Sequence, residues 1–138
     1  MQSQLNPYLS FRDAARPAME FYQGIFGGTL ENSTFKEYPG VSEDPGEDEK
    51  IMHSVLKTEY GMTLMASDTP NRMAYTPGND FSLSLSGDNE TELRGYFERL
   101  AADGTVTMPL EKAPWGDTFG MVKDRFGISW LVNISPAS

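Results

Sequence analysis

The sequence predicts an α+β protein made of two tandem strand-helix-three-strand (βαβββ) modules, and three internal matches predict it. Phe21, Tyr22 and Ile25 lie 75 positions before Tyr96, Phe97 and Leu100, on two amphipathic helical stretches. Each stretch runs into a glycine-threonine-aliphatic step, Gly28-Thr29-Leu30 and Gly104-Thr105-Val106. Leu56 to Ser67 (LKTEYGMTLMAS) then parallels Val122 to Asn133 (VKDRFGISWLVN) at an offset of 66, with aromatic-Gly at the same place in both. Matches recurring in the same order mark a duplicated supersecondary unit.

Module one spans about residues 3–68. Its first strand lies within residues 5–11 and contains NPYLSF, which alternates apolar and polar side chains. The first helix runs from Asp13, read as its N-cap, through Ala18, Phe21, Tyr22 and Ile25 to Gly27. Pro17 is tolerated there because an N–H in the first turn has no intrahelical partner to lose. The second strand starts at the Gly28-Thr29-Leu30 step. Pro39 to Lys50 (PGVSEDPGEDEK) is rich in Pro, Gly and acid and reads as a mobile, solvated loop. It does not have the ligand spacing of an EF-hand. These inserted residues explain why the offset falls from 75 to 66.

A hairpin then closes at Tyr60-Gly61. If its turn is type I with Gly61 as a left-handed bulge residue, Thr58 pairs with Met62, Leu56 with Leu64, and His53 stands opposite Ser67 on the face of Met65. A two-residue loop would swap the faces, because strand side chains alternate. Residues 69–78 read as a linker, and module two covers about residues 79–135.

Module two repeats the plan. FSLSLSG, within residues 80–87, is its first strand. Asn89 and Glu92 fit a capping box, Leu93, Tyr96, Phe97 and Leu100 form the apolar stripe, and Gly104 is the expected C-cap. Ala113-Pro114-Trp115-Gly116-Asp117 places Trp115 on a loop at the rim of the sheet. The second hairpin puts Phe119, Met121 and Lys123 beside Ser129, Leu131 and Asn133, with Trp130 and Val132 turned toward the helix. For NPYLSF and FSLSLSG, the repeat and the polarity patterns disagree about which face is hollow. Each half is small for burying a sheet face alone, so residues 1–138 are expected to form one domain.

Composition removes several classes of function. A chain of 138 residues with no cysteine has no disulfide, thiolate metal site or cysteine nucleophile. A net charge of −9 with eleven scattered Lys and Arg residues opposes nucleic-acid binding. The start, MQSQLNPYLSF, lacks the regions of a signal peptide, and no apolar run reaches the length of a membrane span. A cytoplasmic protein is expected, with neither nucleic acid nor membrane as a partner.

Paired βαβββ modules that curl into an open, cupped, mostly antiparallel mixed sheet resemble the vicinal oxygen chelate superfamily of glyoxalases, extradiol dioxygenases and bleomycin-resistance proteins. The stretches NPYLSF, MEFYQGIFGG, KIMHS, FSLSLSG and MPLEKAPWGDTFGMVKDRFGISWLVNI are similar to its PhnB-like branch, which often carries a demethylubiquinone methyltransferase-type label. A Rossmann-type methyltransferase needs a Gly-rich turn after its first strand and alternating βα units, and neither occurs here.

The resemblance implies metal ligands at defined places: a Glu four residues beyond each hairpin glycine and a His or similar residue on each first strand. The first pair of positions holds Met65 and Leu131, which cannot bind a hard or borderline divalent cation. The second pair falls near Asn6 and Phe81. His53 is the single histidine, so no metal and no cofactor is expected.

The expected lining of the cup is Met65, Phe119, Met121 and Leu131, with Ser67, Asn133 and Tyr8 as polar groups and Trp115 as a cover. That mixture suits a small, partly apolar organic molecule. His53 is either a hydrogen-bonded strand residue or a general acid/base, with Asp117 as its candidate orienting carboxylate. The alternatives are an enzyme, lyase/isomerase or dioxygenase-like, using His53 or a non-standard metal site, and a dimeric interaction module. The resemblance implies homodimers in which modules pair across chains.

Overall fold

Strands follow where apolar and polar side chains alternate, and each helix follows an apolar stripe of period 3.6. The computed structural model describes residues 2–42 and 44–136 and has both signals in two compact units, Met1–Thr76 and Pro77–Ser138. Each unit has one helix and one four-stranded mixed sheet, an α+β arrangement of tandem βαβββ modules.

In the first unit the order is β1 (Tyr8–Phe11), α1 (Ala15–Phe26), β2 (Thr29–Thr34), β3 (Ile51–Lys57) and β4 (Thr63–Asp68). The sheet order is β1-β4-β3-β2, with β1 parallel to β4 and the other pairs antiparallel. Helix α1 buries Ala15, Ala18, Met19, Tyr22 and Ile25. The sheet contributes Phe11, Ile51, Leu56, Leu64 and Ala66 to the core. Burying each large aliphatic or aromatic side chain contributes about 1.5–3 kcal/mol.

The second unit repeats this with β5 (Leu83–Gly87), α2 (Glu90–Ala101), β6 (Thr105–Lys112), β7 (Thr118–Lys123) and β8 (Ser129–Ile134), in sheet order β5-β8-β7-β6. Leu93, Phe97 and Leu100 of α2 are buried, as are Leu85, Val122, Trp130, Val132 and Ile134 of the sheet. A Cβ on Gly120 would lie 3.0 Å from the Phe97 ring, so the bare glycine makes room for that aromatic. Edge strand β6 carries Pro109 and shifts register on both sides of Met108, which suits an edge where no further strand needs the missing N–H.

Both hairpins adopt the type I turn with a glycine bulge. Gly61 and Gly127 take φ of 81° and 88°, and the closing bonds are Thr58 N–H to Met62 O at 3.0 Å and Asp124 N–H to Ile128 O at 2.9 Å. Leu56 therefore pairs with Leu64, and Phe119, Met121 and Lys123 pair with Asn133, Leu131 and Ser129.

Several expectations are corrected. The first strands occupy only Tyr8–Phe11 and Leu83–Gly87 of the expected ranges, so Phe81, offered as a first-strand ligand position, lies ahead of β5 and is 84% exposed. Asp13 is not the N-cap of α1. It takes a positive φ of 67°, and the helix start is instead held from a distance, because Asp68 Oδ1 accepts from the N–H groups of Ala14 and Ala15. Gly104 is not the C-cap of α2; Ala102 is, with Asp103 taking the positive φ. The acidic insert is not simply solvated: it contains a short 3-10 turn, Pro45–Glu47, whose Glu47 is only 2% exposed.

Candidate functional site

Helix α1 covers one face of the first sheet and leaves the other open. In the parallel β1/β4 pair, Tyr8 stands beside Met65 and Ser10 beside Ser67, while Leu9 and Phe11 align with buried Ala66 and Asp68. Neighbouring residues in register share a face. Tyr8 and Ser10 are therefore on the open side with Met65, Ser67, Val55 and His53, which settles the face that alternation alone left undecided.

On this face two residues meet that are 45 positions apart. The Tyr8 hydroxyl lies 3.1 Å from His53 Nδ1, and the rings stack at 5.7 Å between centroids. Ser33 is the register partner of His53 on β2. The face is thus mostly polar, with Met65 and Val55 as its apolar members.

The open face of the second unit has a different character. Phe119 and Met121 of β7 stand in register with Asn133 and Leu131 of β8, and β5 adds Ser84 and Ser86 beside Leu131 and Asn133. Trp115, 66% exposed, packs edge-on against Phe119 at 6.1 Å. Its loop is closed by Ala113 N–H to Asp117 O at 2.7 Å, with Gly116 at φ 103°. Asn133 Nδ2 donates to Asp117 Oδ2 at 2.9 Å. Asp117 thus pairs with Asn133, and the hydrogen-bonding partner of His53 is Tyr8.

The two hairpin positions implied as metal ligands do not suit a metal. Met65 and Leu131 do project on the open faces, where carboxylates would have to stand. Their register neighbours are Tyr8 and Val55 in one unit and Ser84 and Met121 in the other. None of these six side chains is a carboxylate, imidazole or thiolate. Among the described residues, no group of three or more His, Cys, Asp and Glu side chains is arranged to hold a metal ion.

An ionic cluster joins the acidic insert to the segments that follow β1 and β4. Lys50 Nζ contacts Asp13 at 2.6 Å and Glu47 at 3.5 Å. Glu47 also accepts from Asn71 N–H and the Ser42 hydroxyl, both at 2.8 Å. The Asn71 N–H, then Ser42 and Lys50, hold the Glu47 carboxyl below the usual carboxylate range. The bond to Asp13, helped by Glu47, holds Lys50 above the usual lysine value.

Reasoning from sequence placed Met65, Ser67, Phe119, Met121, Leu131 and Asn133 on the open faces. It missed the Tyr8–His53 and Asp117–Asn133 pairs, and it left undecided the faces of Ser10 in the first unit and of Ser84 and Ser86 in the second. The signal for the serines was present: Leu83 and Leu85 alternate with Ser84 and Ser86, and only the leucines suit a helix-covered face.

A family model for the Glyoxalase/Bleomycin resistance protein/Dioxygenase superfamily matches residues 4–132. Protein YjdN of Escherichia coli K12 is 30% identical over 140 residues, covering 94% of each chain. The crystal structure of protein PA1353 from Pseudomonas aeruginosa is 36% identical, with a TM-score of 0.88 over 99% of this chain and 100% of that one. A PhnB protein from Bacillus cereus, provisionally named a 3-demethylubiquinone-9 3-methyltransferase, is 25% identical, with a TM-score of 0.75 over 96% of this chain and 100% of that one.

Proposed function

The chain belongs to the Glyoxalase/Bleomycin resistance protein/Dioxygenase superfamily, and on that footing we propose that it binds a small, partly apolar organic molecule on its open sheet faces without a metal ion. The observation that carries this reading is the presence of Met65 and Leu131 on those faces, where the metal-dependent members have carboxylates. A thioether and an isobutyl group offer soft, adaptable apolar contact. On the open face of the second unit, Phe119 and Met121 stand with Leu131, and Trp115 packs against Phe119. Tyr8, His53 and Ser67 supply directional hydrogen bonds in the first.

The methyltransferase in the name of the Bacillus cereus protein is not extended to this chain. That chemistry on a Rossmann sheet requires parallel strands joined through helices and a Gly-rich turn, whereas each sheet here has one parallel pair and two antiparallel ones.

Elemental analysis after dialysis, combined with ligand-detected binding in EDTA, tests the proposal. Binding that persists in chelator supports it. Stoichiometric nickel, zinc, manganese or iron surviving dialysis would overturn it.

A second reading, an enzyme using His53 as acid or base, is favoured by the Tyr8 bond that orients the ring. Substrate panels of carbonyls, thiohemiacetals and catechols, run on wild type and His53→Ala, test it. Activity unchanged by the substitution removes His53 from the chemistry.

The same proposal includes a homodimer in the cytoplasm. Family likeness supports the dimer, and the absence of cysteine suits a reducing compartment. Among the described residues no helix is long and apolar enough to cross a membrane. Light scattering across a concentration series tests the dimer, and a constant monomer mass at all concentrations excludes it.

A further inference from the structure

We infer that Tyr8 donates its hydroxyl proton to His53 Nδ1, which fixes the neutral imidazole as the Nε2–H tautomer and makes His53 a hydrogen-bond donor to a carbonyl oxygen of the ligand. This deepens the binding reading above and rests on it for the ligand. The tautomer follows from the Tyr8–His53 geometry alone.

A neutral imidazole has one donor and one acceptor nitrogen, and the hydrogen bond made by one nitrogen sets the role of the other. Nδ1 is 3.1 Å from the Tyr8 oxygen. Two arrangements are conceivable, with the phenol donating or accepting. A phenol is a better donor than acceptor because its lone pair is delocalised into the ring, whereas the imidazole sp2 nitrogen is the strongest neutral acceptor among side chains. The proton therefore lies on the Tyr8 oxygen, and Nε2 carries the ring hydrogen. No described residue pairs with Nε2.

Position adds to this. His53 sits on the open face with Ser33 of β2, its register partner, and with Ser67 of β4, which stands beside Ser10. An N–H flanked by hydroxyls is a site for an acceptor oxygen. In the second unit the residue 66 positions later is Phe119, and Ser84 stands beside Leu131 as Tyr8 stands beside Met65. The duplicated modules have thus diverged, one keeping a donor pair and the other an aromatic surface. A ligand with a carbonyl oxygen suits the donor face of the first unit. Because Nε2 in this tautomer has no free lone pair, the neutral ring cannot serve as a general base there, which separates this role from the general-base form of the enzyme reading.

His53 is the only histidine, so a long-range proton-nitrogen NMR spectrum reads its tautomer without assignment. The expected result is the Nε2–H pattern in wild type and a shift toward a tautomer mixture in Tyr8→Phe. Tyr8 is half-exposed, so that variant keeps the fold. A dominant Nδ1–H pattern, or a Tyr8→Phe spectrum identical to wild type, overturns the inference.

Acetophenone and ethylbenzene then serve as probes that differ by a carbonyl against a methylene. Tighter binding of acetophenone by roughly three- to tenfold is expected for one neutral hydrogen bond. The His53 Nε2–H resonance should move with acetophenone only. Equal binding of both probes overturns the donor role, whereas failure of both to bind, with the tautomer as expected, sinks the binding reading and leaves the tautomer assignment in place.

Discussion

Asp68 at the end of β4 holds three backbone donors from two places in the chain. One oxygen accepts from Ala14 and Ala15 at the start of α1, and the other accepts from Ile51 at 2.9 Å at the start of β3. The residue is 4% exposed, and its bonds to Ala15 and Ile51 are buried, so removing the carboxylate leaves those two N–H groups without a partner. Asp68→Ala should cost about 3 kcal/mol in urea unfolding, and Asp68→Asn less, because the amide keeps one acceptor oxygen. Glu47 gives a pH signature instead. Its carboxyl titrates lower in the folded protein than in the unfolded chain, so its contribution is present above the ordinary carboxylate range and lost as pH falls below it. Glu47→Gln should flatten the acid limb of stability from about pH 5 downward, measured as urea midpoints across pH. Lys50 acts with the opposite sign. Its raised value gives a contribution present below the ordinary lysine range and lost at higher alkaline pH.

At the scale of the element, the junction between helix and second strand carries a mark of the duplication. A Cβ on Gly28 would lie 2.1 Å from the Lys57 carbonyl oxygen, and one on Gly104 would lie 2.4 Å from that of Lys123. Thr29 pairs with Lys57 and Thr105 with Lys123, so the two contacts occupy the same place in each module. Gly28→Ala and Gly104→Ala should each destabilise by about 2–3 kcal/mol, with denaturant midpoints as the readout and the Gly28 variant worse because its φ is 95°.

These glycines also show what could be read from the sequence. Gly-Thr-aliphatic and aromatic-Gly steps fixed the order of elements and the hairpin register, because turn chemistry and alternation are local. The N-cap of α1 was not legible. Its acceptor is 54 residues downstream at Asp68, while Asp13 had the right type at the right spacing and instead pairs with Lys50. The buried role of Glu47 was hidden for the same reason, since one acid in an acidic run gives no sign of meeting Asn71 and Ser42.

For the whole molecule, the duplicated modules differ most where a ligand would touch them. The helix-covered faces repeat apolar residues, Leu56, Leu64 and Ala66 against Val122, Trp130 and Val132. The open faces do not repeat: Tyr8, His53, Met65 and Ser67 correspond to Ser84, Phe119, Leu131 and Asn133. Sequence alone placed most of these residues on their face once the hairpin was read, yet it could not give the Tyr8–His53 pair, which depends on parallel pairing of strands far apart in the chain. With a net charge of −9, no retardation of duplex DNA is expected at physiological salt in a gel-shift experiment.

Metal-free binding at these open faces is decided by methyl NMR of 13C-methyl-methionine protein titrated with acetophenone in EDTA. Met65 and Met121 methyl resonances should shift saturably, while that of Met73, 51% exposed outside both sheets, stays in place. Resonances of Met65 and Met121 that remain fixed, or move only after a divalent metal is supplied, would contradict the claim.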